Sequence, residues 1–238
     1  MTTTHMTVTR TRTTGRRMAS LVVAATSIGA LLFTPGTAVA APATGAAASA
    51  TRIPLRDAIA NLRVAEEDRS GYDRSAFRHW IDADKNGCTT RHEVLIDEAV
   101  NPPEIGAKCA LTGGRWYSYY EDAYVDGAAG LDIDHMVPLA EAWDSGASAW
   151  TPKQREAYAN DLDQPRALVA VTGKYNRSKA DQDPSTWLPP YEGARCTYLT
   201  DWVTVKTKYD LAVDPTEFDT LQRLSAQCPN VPIEPGTL

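Results

Sequence analysis

Four cysteines, Cys88, Cys109, Cys196 and Cys228, all lie downstream of a segment built like an export signal, and that pairing constrains the chain most. Residues 1–18 carry Arg10, Arg12, Arg16 and Arg17 and no acid. An apolar run of fifteen residues follows, Ala19 to Phe33, which Pro35 and Gly36 break before Ala38-Val39-Ala40. A basic stretch, a short apolar stretch and small residues at A-x-A make a secretory signal over residues 1–40. The run is shorter than the roughly 20 residues a bilayer span needs, so stable membrane association after cleavage is not expected. An exported chain meets oxidants, and an even cysteine count predicts two disulfides. Four cysteines allow three pairings; proximity in sequence favours Cys88–Cys109 with Cys196–Cys228. No C-x-x-C pair occurs, which argues against a zinc ribbon.

Removing residues 1–40 leaves 20 basic and 30 acidic residues, a net charge of −10. A non-specific nucleic-acid binder advertises a basic surface. Any contact of this chain with a polyanion must therefore be local or assisted by a metal ion. The full chain has 238 residues, which suits one domain or one domain with a small appendage.

Residues 41–52 form a flexible Ala/Thr/Ser/Gly leader. The pattern Leu55, Ile59, Leu62, Val64 and Ala65 has a helical period, and Tyr72–Ile81 reads as a second short helix. Residues 53–115 are thus expected to be helical, with Asn101-Pro102-Pro103 ending a helix over Val94–Val100. Trp116–Tyr120 reads as a strand, and Leu131–Val137 alternates with period two and reads as another. Thr151-Pro152 signals a helix start. Ala167–Val171 is a short apolar strand, and Lys174–Ala180 a polar helix. Residues 192–238 hold a helical hairpin, its second helix capped by Asp214 ahead of Pro215 and Glu217.

Only three histidines lie beyond residue 40: His79, His92 and His135. His135 ends a strand beside Asp134, where a loop can expose a working side chain. Strand, excursion, strand, helix is a ββα layout, which would bring Asp134 and Asn176 together, an oxygen from each available to a hard cation. Strand alternation points His135 away from Asp134, free to act on a water. The alternative for His135 is a buried, hydrogen-bonded core imidazole. The basic cluster Arg166, Lys174, Arg177 and Lys179 can meet phosphates or form a solvated helix face.

The segments Asp134-His135-Met136-Val137-Pro138-Leu139, Leu168-Val169-Ala170-Val171 and Asn176-Arg177-Ser178-Lys179 resemble HNH-family nucleases, most closely a secreted actinobacterial branch related to the GmrSD-type C-terminal domain. The resemblance runs over about residues 116–191. It implies an α+β fold: a ββα-metal (HNH) nuclease core inside a mostly helical, disulfide-stapled single domain. It further implies a secreted, monomeric endonuclease acting on DNA, with RNA as a second candidate substrate. Asp134 and Asn176 would bind Mg²⁺ or Mn²⁺, His135 would be the general base, and Lys179, Arg177 and Arg166 would contact phosphates. One position departs from the family pattern. The middle Asn normally lies just before the second strand, where this chain reads Gln164-Pro165-Arg166-Ala167-Leu168. Asn160 is the nearest upstream Asn, and two roles are open to it: orienting the His loop as part of the catalytic set, or ending a helix.

Residues 82–93 match the twelve-residue EF-hand template. Asp82, Asp84 and Asn86 fall at positions 1, 3 and 5, Gly87 at the turn, the Cys88 carbonyl at 7 and Glu93 at 12. The loop is either a structural Ca²⁺ site or an Asx-rich turn stapled by a disulfide. A second function class follows from it: a non-catalytic, secreted calcium-binding or adhesion module on a degenerate nuclease scaffold. A Ser-His-Asp hydrolase is disfavoured, since the chain has no G-x-S-x-G elbow.

Overall fold

The computed structural model describes residues 52–237, and the expected signal and most of the leader lie outside them. The order of elements is β1 (Ile53–Pro54), α1 (Leu55–Ala60), α2 (Thr90–Asp97), β2 (Glu104–Ile105), β3 (Leu111–Thr112), β4 (Arg115–Ser118), β5 (Ala123–Asp126), β6 (Leu131–His135), α3 (Leu139–Asp144), α4 (Pro152–Ala159), β7 (Leu168–Thr172), α5 (Gly173–Lys179), α6 (Arg195–Lys208), α7 (Pro215–Ser225) and β8 (Pro232–Ile233). Four two-stranded antiparallel ladders result: β1–β8, β2–β3, β4–β5 and β6–β7. The fold is a mixed α/β domain tied by Cys88–Cys109 and Cys196–Cys228, the two bridges that sequence proximity favours.

The β6–β7 hairpin is centrally placed because its apolar residues are packed on both sides. Leu131, Ile133, Leu168, Val169, Ala170 and Val171 are all buried in one core with Trp116, Tyr120, Tyr198 and Trp202. Its register sets His135 opposite Leu168 and Asp134 opposite Val169. The chain leaves β7 straight into α5, so strand, strand and helix form one ββα unit. Ala180, at φ 53°, ends α5. Thr151 and Gln154 form a reciprocal capping box at the start of α4, and Asp214 caps α7 by accepting from Thr216 and Glu217.

Two fully buried lysines organise the polar interior. Lys206 donates to Glu141, Glu217, Ser145 and the Ala212 carbonyl. Lys179 donates to Asp134 and to the His135 carbonyl. Trp202 lies between them, its ring 5.5 Å from the Lys206 ammonium and 5.9 Å from that of Lys179. A buried ammonium costs several kcal/mol unless it is paired and hydrogen-bonded, as both are here.

Residues 53–115 correct the expectation of a helical region. Tyr72–Ile81 is not a helix: only Arg74–Ala76 makes a 3₁₀ turn, started by Asp73 accepting from the Ser75 amide. Phe77 is extended, and Trp80 takes a left-handed backbone at φ 59°. The apolar residues Phe77 and Trp80 mimic a helical stripe but are drawn inward one at a time, against Tyr158 and His135. The second helix starts earlier than expected, at Thr90, where Thr89 and His92 form a capping pair.

Candidate active site

Asp134 and His135 occupy successive positions of β6 and leave the strand on opposite faces, as the pleat requires. On one face α5 packs across β6. Asn176 Nδ2 approaches Asp132 Oδ2 at 3.4 Å, and Arg177 pairs with the same oxygen at 3.3 Å. Asp132 thereby orients the Asn176 amide and leaves its carbonyl oxygen to face elsewhere. Two residues along, Asp134 is almost fully buried. Its Oδ2 accepts from Tyr120 at 2.5 Å and from Lys179 at 2.7 Å. Burial pushes the Asp134 carboxyl up and the Lys179 ammonium down, each opposed by attraction to the other. Both bonds fall on Oδ2, which leaves Oδ1 available.

On the other face, His135 sits against Trp80, with ring centres 5.4 Å apart, and near Tyr158 and His79 at 6.4 and 6.3 Å. Its Nε2 lies 3.0 Å from the Ala159 carbonyl oxygen. A carbonyl only accepts, so Nε2 carries the proton and Nδ1 keeps its lone pair. Burial pushes the imidazole down to about 3; the Ala159 bond works against this, while His79, Arg74 and Lys179 reinforce it. The ring is therefore neutral across the physiological range. The buried-imidazole alternative describes its burial well, but His135 also opens onto a cleft.

That cleft, about 490 Å³, brings three of the sequence candidates together: Asp134, His135 and Asn176 all line it. Arg177, Tyr72, Arg74 and Asp181 line it too. The donor set fits a hard divalent cation. Asp134 offers a carboxylate and Asn176 an amide carbonyl, oxygen donors of the kind taken by an ion that keeps several of its waters. A larger cavity of about 610 Å³ lies elsewhere; it contains Asn160 but none of Asp134, His135 or Asn176.

The remaining candidates are placed differently. Lys179 is wholly buried beneath the site and corrects the expectation that it meets phosphates: its ammonium is consumed by Asp134 and the His135 carbonyl. Arg166 is exposed but turns to Asp201 at 3.2 Å and does not line the cleft. Asn160 ends α4 and does not line the cleft. It donates to the carbonyls of Arg78 and Glu156 and accepts from the Ile81 amide and the Thr90 hydroxyl. These four bonds clamp the residue next to Ala159, the partner of His135. In residues 82–93, Asn86 Nδ2 donates to Asp84 and Glu93 at 2.9 Å each, and the Gly87 amide donates to Asp82. The four ligand-type side chains are gathered, but the Asn86 amide holds the middle. Among the described residues, no α-helix leads directly into the loop, α1 ending at Ala60, so it is not a helix–loop–helix unit.

Sequence reasoning missed two acidic groups that share Glu67: one with Asp183 and Asp214, one with Glu141 and Asp144. Burial and the neighbouring Glu141 charge push Glu67 up to about 7. These acids come from separate segments, so no local motif announces them. Arg69 answers the charge of Asp144 and Lys206 that of Glu141.

Residues 97–221, just over half of the chain, match the family described as GmrSD restriction endonucleases, C-terminal domain. An uncharacterised secreted protein of Arthroderma benhamiae is 42% identical over 160 residues, covering 67% of this chain and 77% of that protein. No solved structure matches. Among the described residues, no helix is long and apolar enough to cross a membrane.

Proposed function

Because the chain belongs to the family of GmrSD restriction endonuclease C-terminal domains, we propose that it is a secreted, metal-dependent HNH-type endonuclease that hydrolyses phosphodiester bonds of DNA and also accepts RNA. The observation that carries this reading is the shared cleft: Asp134, His135 and Asn176 all line it, and the Ala159 carbonyl occupies the His135 Nε2.

Asp134 and Asn176 would hold Mg²⁺ or Mn²⁺ through Oδ1 of each. A cation there would supply Lewis-acid stabilisation of the charge that develops on the phosphate and on the departing 3′ oxygen. His135 Nδ1 takes a proton from water as its oxygen attacks phosphorus; the new P–O bond forms in line with the P–O3′ bond that breaks. The Ala159 carbonyl holds the Nε2 proton, fixing the tautomer for that transfer. It also stabilises the imidazolium that forms. Lys179 ties the Asp134 carboxylate to the His135 main chain, so the two working side chains are set by one buried ammonium. Asn160 acts behind them as a positioning residue, through α4 and the 78–81 segment. Residues 82–93 are proposed as a weak structural Ca²⁺ loop, supported by the gathered Asp82, Asp84, Asn86 and Glu93 side chains. The protein is proposed to act as a monomer.

The test is supercoiled plasmid incubated with the protein in Mg²⁺ or Mn²⁺, with and without EDTA, and with His135→Ala. Metal-dependent nicking that His135→Ala loses, while melting stays cooperative, is the expected result. A wild-type protein that leaves plasmid intact under every divalent ion favours the calcium-binding or adhesion reading instead.

A further inference from the structure

Tyr72 and Arg74 line the cleft from a segment ahead of the stretch that matches the family. The charges lining the cleft there are unequal. Arg177 is committed to Asp132, Asp181 to Arg69, and Asp134 to Lys179. Among the described residues, Arg74 lines the cleft without a carboxylate partner. Its side chain is exposed, and Tyr72 and His135 line the same cleft. The polypeptide is strongly acidic overall, so a polyanion gains little from its general field and must be met by a local, unneutralised cation.

We propose that Arg74 grips a non-bridging oxygen of the phosphate presented to His135, so that the segment before the family-matched region supplies the substrate clamp of the cleft. The inference rests on the endonuclease reading. A guanidinium suits the task because its fork of N–H donors can take two phosphate oxygens at once while keeping its charge. The 3₁₀ turn at Arg74–Ala76, started by Asp73, fixes the backbone from which the side chain reaches the cleft. Phe77, packed edge-on to Tyr158 and Trp143, fixes that segment to the core.

The full-length mature protein, as wild type, Arg74→Gln, Arg74→Lys and Arg78→Gln, is assayed on a fluorescent DNA duplex in two ways. Cleavage is followed in Mg²⁺, and binding is followed by anisotropy in EDTA over a salt series. Arg78 is a charge control: it is exposed, pairs with Glu156 and does not line the cleft. Arg74→Gln should lower kcat/KM by about 10- to 100-fold, the range of a charge-assisted hydrogen bond. It should reduce the slope of log affinity against log salt by about one ion, with the melting temperature unchanged. Arg74→Lys should recover part of the loss, and Arg78→Gln should match wild type. Unchanged kcat/KM and salt slope in Arg74→Gln would overturn the assignment, as would an equal loss in Arg78→Gln. If wild type cleaves nothing, the endonuclease reading fails separately. The anisotropy arm still decides Arg74: a preserved salt slope rejects it, and a lost one retains it as a nucleic-acid contact.

Discussion

Replacing Lys179 by methionine separates two roles that the sequence cannot tell apart. As a phosphate contact, Lys179 would sit at the surface, and its loss would weaken nucleic-acid binding without touching stability. In the structure its ammonium is fully buried, 2.7 Å from Asp134 Oδ2 and 2.9 Å from the His135 carbonyl oxygen. Methionine fills much the same volume but leaves a buried carboxylate with only the Tyr120 hydroxyl as partner. Breaking a buried ion pair by removing one member costs about 3–5 kcal/mol. In a domain of this size each kcal/mol lowers the melting temperature by about 2–4 °C, so Lys179→Met should melt at least about 6 °C lower. Thermal unfolding followed by circular dichroism measures this directly. Adding Asp134→Asn to Lys179→Met should restore part of the loss, since the stranded charge is gone. A Lys179→Met protein that melts with wild type and binds DNA with a reduced salt slope would refute the buried-clip account.

Asn160→Ala removes four hydrogen bonds behind the His135 imidazole. It should lower kcat by at least about 10-fold with little change in KM, because the residue orients His135 and touches no substrate; a KM effect alone would contradict that. Glu98 is pushed up to about 7, first by burial and then by the nearby Asp97 and Asp201 charges, against a hydrogen bond from the Ala170 amide. Its folded value lies above its unfolded one, so stability is full below about pH 4.5 and falls as pH rises through about 7, by up to about 3 kcal/mol. Glu98→Gln keeps an acceptor for Ala170 and should melt higher than wild type at pH 8 but not at pH 4; equal melting at both would sink the reading. Calcium should raise the melting temperature of wild type and not of Glu93→Gln. Absence of any calcium effect in wild type would leave residues 82–93 as a stapled turn.

The ββα unit was legible because its signals are local. Period-two alternation over Leu131–Val137, an apolar run before Gly173 and a polar helix after it fix three elements in order. The Asp134–His135–Asn176 convergence follows once that order is known. The residues whose surroundings the sequence does not show are those with partners far along the chain. Lys179 looks like one more basic residue of a polar helix, and only its packing against Tyr120 and Trp202, elements on either side of it in sequence, buries it. Asn160 sits at a helix end in the sequence, and its clamp is built from Arg78, Ile81 and Thr90, some 70 to 82 residues away. Tyr72–Ile81 has a helical spacing of aromatics but is held open by Asp73, by an extended Phe77 and by the left-handed backbone at Trp80. Arg74 went unnoticed for the same reason: nothing in its neighbourhood says that it shares a cleft with His135.

The metal claim is tested most directly by where an ion binds. In a crystal of the protein soaked with Mn²⁺, anomalous scattering should give a peak in the cleft between the Asp134 and Asn176 side chains, within coordination distance of both. A peak at Glu67 with Asp183 and Asp214, and none in the cleft, would contradict the account and move the metal chemistry to the other side of Asp181.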